Sequence, residues 1–203
     1  MIGIINYGLG NLKSIQSIVS HVGGSSRIIN SPDDIEGINK FILPGVGSFD
    51  HGMHGLNDGK WTYTLNKLVL EDKMPILGIC LGMQLMCSSS EEGNLPGLGW
   101  IDAEVRKISF PEESGLKIPH MGWNILDVKR DNPLFENDGS EQRFYFVHSF
   151  HVVCNEPRDI LATAHHGFDI TSSFQHNNVY GVQFHPEKSH RFGKEFFKKF
   201  ITI

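Results

Sequence analysis

A glycine-framed cysteine, Gly78-Ile79-Cys80-Leu81-Gly82-Met83-Gln84, constrains this chain more than any other stretch. It follows the apolar run Pro75-Ile76-Leu77 and opens a segment of helical character, residues 81–87. A G-x-C-x-G element between a strand and a helix predicts a sharp turn that presents one nucleophilic side chain at the strand's end. The glycines admit backbone approaches that a Cβ would block. The sulfur then sits at a helix N-terminus, where unpaired N–H groups and the helix dipole favour a thiolate.

The flanking sequence supplies the sheet such a turn needs. Residues 2–6, 27–29, 40–43 and 75–79 are short apolar runs and read as strands. Between the first two, Asn11 caps a helix whose apolar positions Leu12, Ile15, Ile18, Val19 and Val22 recur at helical spacing, and Gly23-Gly24 ends it. Residues 61–70 form a second helix. Alternating strands and helices predict an α/β fold with a parallel sheet covered on both faces, and ligands bind beyond the carboxyl ends of such strands. Pro44-Gly45 and Cys80 are therefore expected on one edge. After Ser88 strand-like segments crowd together, at 101–108, 124–128, 143–147, 151–154, 161–165 and 179–184. A helix over 191–201 closes the chain. No repeat or linker divides it, so residues 1–203 are expected to form one domain.

Composition removes several function classes. A net charge of -5 with no long run of either sign argues against nucleic acid as a ligand. No run approaches the ~18 apolar residues of a membrane helix, and the first residues read as a strand rather than a signal segment. The three cysteines, Cys80, Cys87 and Cys154, lack C-x-x-C spacing, which disfavours a disulfide framework or a zinc site and suits a reducing cytoplasm. His51, His54, His165 and His166 lack matching carboxylates or thiols at ligand spacing. Neither metal nor cofactor is expected.

A nucleophilic cysteine needs a base, and the base an orienting group. His185-Pro186-Glu187 supplies both. Pro186 holds His185 extended, and residues two apart on an extended segment face the same way, which sets Glu187 beside His185. His185 would take the thiol proton and later give it to a leaving amine, while Glu187 steadies the imidazole. The glycine-rich Pro44-Gly45-Val46-Gly47, with the N–H of Leu81, is suited to an oxyanion hole. Gly45 and Gly47 are expected to let that loop flip, so that Gly45→Ala would harm turnover more than folding.

Pro44-Gly45-Val46-Gly47, Gly78-Ile79-Cys80-Leu81-Gly82-Met83-Gln84 and Phe184-His185-Pro186-Glu187, in that order, resemble the class I (triad) glutamine amidotransferases. The resemblance implies a mixed, largely parallel sheet flanked by helices. It also implies hydrolysis of glutamine through a glutamyl thioester on Cys80, with His185 and Glu187 completing the triad. Gln84 and the Val147-His148-Ser149 stretch would bind glutamine, partly through backbone groups. Asn6-Tyr7-Gly8-Leu9-Gly10-Asn11-Leu12, Pro119-His120-Met121-Gly122-Trp123-Asn124, Tyr145-Phe146-Val147-His148-Ser149 and His185-Pro186-Glu187-Lys188-Ser189 are most similar to the glutaminase subunits of imidazole glycerol phosphate synthases. That likeness implies a (β/α)₈ cyclase as heterodimer partner. The partner would be contacted by Asn11, Trp123, Tyr145 and Lys188, and would consume the ammonia to make imidazole glycerol phosphate and AICAR in histidine biosynthesis.

Other functions stay open on sequence. Phe150-His151, His166-Gly167 and Ser172-Ser173-Phe174 depart from the family's usual pattern, and Ser189-His190-Arg191-Phe192-Gly193 resembles paralogues whose synthase amidates a nucleotide-linked sugar. A cysteine hydrolase acting on γ-glutamyl or peptide bonds is a second enzyme class. A non-enzymatic scaffold is a third reading, which the intact Cys80, His185 and Glu187 disfavour. Free ammonia is wasteful, so activity is expected to stay low until the partner and its ligand bind.

Overall fold

A computed structural model describes residues 1–203. The N-terminal half alternates strands and helices as the apolar periodicity predicts. The strands are β1 (Ile2–Ile5), β2 (Ser26–Ile29), β3 (Lys40–Leu43) and β4 (Ile76–Ile79), with helices α1 (Leu12–His21), α2 (Phe49–Asp58), α3 (Trp61–Asn66) and α4 (Leu81–Leu85). The second half adds β5 (Ser89–Ser90), β6 (Ala103–Lys107), β7 (His120–Ile125), β8 (Asp127–Val128), β9 (Arg143–His148), β10 (Phe150–Cys154), β11 (Ile160–His165), β12 (Asp169–His176) and β13 (Val179–Val182). The chain ends on α5 (His190–Thr202).

The sheet is mixed. Its order is β2-β1-β3-β4-β13-β12-β10-β6-β5, with β11 and β8 attached beside β12. The run from β2 to β13 is parallel, and β12 and β10 turn antiparallel. β7 and β9 form a separate antiparallel pair. The last strand in sequence thus inserts next to β4, the strand that carries the elbow.

Period-2 alternation sends side chains to two cores. Ile5, Phe41, Leu43 and Ile76 face one core with Phe49, Trp61 and Met83 from the helices. Ile2, Ile4, Ile42, Leu77 and Ile79 face the other, where α1 and α5 contribute Ile15, Val19, Phe196, Phe197 and Phe200. Strands flanked on both faces are buried along their whole length, which is why β1, β3, β4 and β13 carry continuous rather than alternating apolar runs.

Two elements depart from the sequence-based expectation. α2 contains Gly52 and Gly55, poor helix formers. Gly52 packs against Leu85, and a Cβ on Gly55 would strike the Tyr7 carbonyl, so close packing outweighs propensity there. β12 carries Ser172 and Ser173 fully buried, an unusual filling for a central strand. The Ser173 hydroxyl meets its burial cost by donating to the Gly181 carbonyl at 2.9 Å.

The elbow itself is backbone packed on backbone. A Cβ on Gly78 would lie 2.7 Å from the Gly82 carbonyl carbon. One on Gly82 would collide with the Leu43 carbonyl oxygen of the adjacent strand. Gly82→Ala should therefore cost about 3 kcal/mol or more of stability, the upper range for overpacking. Urea unfolding followed by circular dichroism measures this, and a midpoint equal to the parent's would contradict the contact.

Candidate active site

Three adjacent parallel strands deliver the three predicted loops to one edge. Leu43 of β3 lies opposite Gly78, and Val182 of β13 lies opposite Ile79. Past these residues β3 releases Pro44–Gly47, β4 releases Cys80, and β13 releases the segment leading to His185 and Glu187. The Cys80 N–H donates to the Val182 carbonyl at 2.8 Å, tying elbow and base segment together.

Cys80 holds φ +54° and ψ −110°, a conformation that side-chain-bearing residues rarely adopt. The strain is kept by the packing of Gly78 and Gly82 around it. The following helix, α4, runs only from Leu81 to Leu85. This short helix sets the N–H groups of a single turn behind the nucleophile.

His185 and Glu187 form a buried pair, with His185 Nδ1 2.8 Å from Glu187 Oε1 and both side chains almost fully enclosed. Their geometry differs from the expected extended segment. His185 is extended, as Pro186 requires, but Glu187 lies in the 3-10 turn Pro186–Lys188 that folds its carboxylate back under the ring. The His185 N–H donates to the Tyr145 carbonyl at 2.8 Å, and the Ser189 hydroxyl donates to the His185 carbonyl at 2.7 Å, fixing the turn against β9. Burial pushes the His185 pKa down, but the Cys80 sulfur and the Glu187 carboxylate outweigh it and raise it to about 9. Burial pushes the Glu187 carboxyl up, and the bonds from His185 and Asn11 bring it below its ordinary value. His185 Nε2 is buried without an acceptor or donor in full hydrogen-bond geometry.

Asn11 is placed differently from expectation. Its side chain makes no bond to the helix it precedes. It donates instead to Glu187 Oε1 at 3.0 Å. Both donors therefore fall on one carboxylate oxygen, and Oε2 is buried without a partner.

A cleft of about 360 Å³ opens over Cys80, lined by Val46, Gly47, Leu81, Gln84, Glu92, Pro119, residues 147–150, His185 and Lys188. That volume lies near the lower end for small-molecule sites. Gln84, His148 and Ser149 line it, and so do Val46 and Leu81. Gly45 does not. It sits behind the loop, where a Cβ would lie 2.7 Å from the Gly82 nitrogen and from the Tyr7 hydroxyl. Alanine at Gly45 would thus strain folding as well as the loop, which weighs against the expectation that turnover would suffer more than folding. Gly47, at φ +114° with open space around it, is the residue that needs glycine's conformational freedom.

Glu92 was not singled out in sequence, because an acidic pair in a turn carries no signal. Burial raises its pKa, partly offset by the Phe49 N–H that donates to Oε2 at 2.8 Å. It places a carboxylate in the wall of the cleft that Lys188 also lines.

Behind His148 runs a chain of neutral imidazoles. His148 Nδ1 lies 2.7 Å from the Phe150 carbonyl, which can only accept, so this nitrogen carries the proton. His148 Nε2 then accepts from His120 Nδ1 at 2.9 Å, and His120 Nε2 accepts from Asn124 at 3.0 Å. Burial lowers His148 to about 3 and His120 to about 4, with neighbouring histidines adding to the effect. Trp123 and Tyr145 face each other across β7 and β9 in T-shaped contact, Trp123 also stacks on His190, and Lys188 Nζ lies 5.9 Å from the centre of the Tyr145 ring. Met121, Trp123 and Ile125 stand exposed along one face of β7.

The family model for "Glutamine amidotransferase class-I" matches residues 3–203. "Imidazole glycerol phosphate synthase subunit HisH 2" of Methanococcus maripaludis is 47% identical over 201 residues, covering 99% of this chain and 98% of that protein. The HisH subunit of Bdellovibrio bacteriovorus is 44% identical with full coverage of both chains, 100% each. Among solved structures, one titled "Crystal structure of glutamine amidotransferase" superposes with a TM-score of 0.75 at 17% identity, covering 100% of this chain and 99% of that one. "Structure of PurLQS from Thermotoga maritima" gives 0.72 at 18% identity, over 98% and 94%. At such identities these two speak for the fold alone. The chain belongs to the class I glutamine amidotransferase family.

The neutral histidines generate a pH prediction. Their folded pKa values lie below the unfolded value of about 6.5, so the stability linked to them is complete above that pH and is lost as pH falls toward 4. His120→Gln removes one of the two groups. The loss of melting temperature between pH 7 and pH 5 should be smaller in this variant than in the parent, and an equal loss would show that His120 is not held neutral.

Proposed function

We propose that this chain hydrolyses glutamine to glutamate and ammonia at Cys80, as the glutaminase subunit of an imidazole glycerol phosphate synthase. The observation that carries the reading is the strained Cys80 beside the buried His185–Glu187 pair at the floor of the cleft.

The Cys80 thiolate attacks the side-chain carbonyl carbon of glutamine and forms an S–C bond. The electron pair moves to oxygen, and the Val46 and Leu81 N–H groups receive that oxyanion. The Val46 N–H has no acceptor in the protein, which leaves it available. His185, whose pKa of about 9 keeps it protonated, gives a proton to the leaving amide nitrogen, and ammonia departs. Water, losing a proton to His185, then cleaves the thioester and releases glutamate. Glu187 and Asn11 hold the imidazole upright throughout. Glu92 is positioned for the substrate's ammonium group. The Gln84 amide nitrogen is already bonded to Phe150 and Gln183, so Gln84 offers its oxygen to the ligand.

The ammonia goes to a synthase partner, which the names of the relatives support. We assign that partner as a (β/α)₈ cyclase that docks over Trp123, Tyr145 and Lys188, beside the cleft mouth. Asn11, half-buried and bonded to Glu187 Oε1, is kept among the proposed partner contacts. The HisH names favour this pathway over nucleotide-sugar amidation. A reducing cytoplasm, where the thiol stays free, completes the proposal. No helix is long and apolar enough to cross a membrane.

Glutamate release, measured for the chain alone, with the cyclase of the same organism, and with cyclase plus its nucleotide substrate, tests this. Release should be low alone and rise at least tenfold in the complete mixture. Cys80→Ala should abolish it while leaving complex formation intact. No stimulation by an active cyclase would refute the partner assignment, and undiminished hydrolysis by Cys80→Ala would refute the nucleophile.

A further inference from the structure

One buried polar side chain touches the nucleophile and has no part in the steps above. Gln183 follows β13 directly and is fully enclosed. Its Nε2 lies 3.7 Å from Cys80 Sγ, and its Oε1 lies 2.9 Å from Gln84 Nε2. Its own backbone N–H donates to the Ser172 carbonyl at 2.9 Å, so the residue is held at both ends.

The two ends of a carboxamide have nearly the same shape, so its direction must be fixed by a partner of a single kind. The Phe150 carbonyl is that partner. It can only accept, and it lies 3.1 Å from Gln84 Nε2. Gln84 must turn its nitrogen to Phe150, and the second N–H of the same nitrogen then points to Gln183. Gln183 answers with its oxygen, which leaves its NH₂ group facing sulfur. Reversing Gln183 would set two donors against each other at Gln84 and an acceptor against the sulfur.

We propose that Gln183 is a catalytic residue that donates an N–H to the Cys80 sulfur and favours its thiolate form, with Gln84 and the Phe150 carbonyl dictating which end of the amide meets the sulfur. The word catalytic rests on the assignment of Cys80 as nucleophile. A donor aimed at a group that becomes an anion stabilises the anion.

Other ionisable groups also face the site. His185, backed by Glu187, approaches from the base segment, and Tyr7 from the loop after β1, its hydroxyl committed to the Pro44 carbonyl at 2.6 Å. His148, Glu92 and Lys188 line the cleft above. All of them remain in the variants that test Gln183, so any change belongs to the amide.

The test is the rate of Cys80 alkylation by iodoacetamide as a function of pH, followed on the Cys80 peptide by mass spectrometry in the full chain. Gln183→Met keeps length and removes the donor, and the midpoint of its profile should move up by about one pH unit. Gln183→Glu keeps the shape and sets an acceptor beside sulfur, so its midpoint should move further. A residue that merely filled space would not produce that order. An unchanged or lowered midpoint in Gln183→Met overturns the proposal. If that variant lacks a cooperative melt, the isosteric Gln183→Glu decides on the same criterion. Alkylation needs neither glutamine nor partner, so a parent chain that released no glutamate even with the active cyclase and its nucleotide substrate would refute the proposed function and leave this measurement readable.

Discussion

Everything at the active edge depends on three backbones touching without side chains between them. β3, β4 and α4 meet through Gly45, Gly78 and Gly82, and no Cβ fits at any of these positions. Close packing of this kind tolerates little displacement. It forces Cys80 into a backbone conformation that is unfavourable in isolation, and the same glycines prevent its relaxation. The nucleophile is therefore placed by main chain, which is stiffer than any side-chain contact.

The base is placed by a different means. His185 stands on a short turn, and its position comes from a set of hydrogen bonds to β9 and to Asn11 near the start of the chain. The Asn11–Glu187 bond joins residues from opposite ends of the sequence. Main-chain placement on one side and hydrogen-bonded placement on the other meet across β4 and β13, whose parallel register brings their ends level. The family resemblance thus has a physical basis, since the three motif loops follow three neighbouring strands.

Most of this edge could be read from sequence because glycine and proline leave visible marks. The elbow, the Pro44–Gly47 loop and His185-Pro186-Glu187 all carry such marks, and the apolar runs of β1, β3 and β4 located the sheet. What was missed depends on contacts between distant residues. α2 was hidden by two glycines whose use is to let neighbours approach. Asn11 matched a helix cap by type and position, and only the fold shows that its amide turns toward Glu187. Gln183 did leave a trace, a polar residue inside the run Val182-Gln183-Phe184, but its significance lies in Gln84 and Phe150, which are far away in the chain.

The stacked pair on the outer face of β7 has an optical consequence. The chain has three tryptophans. Trp61 and Trp100 are 1% and 4% exposed, whereas Trp123 is 47% exposed and lies parallel to His190, 5.6 Å between ring centres. Buried indoles emit at short wavelength and wet ones at long wavelength, so the red edge of the intrinsic fluorescence belongs to this single residue beside the cleft mouth. The protein thereby carries a native reporter of whether that face is open to solvent or covered, with no label attached.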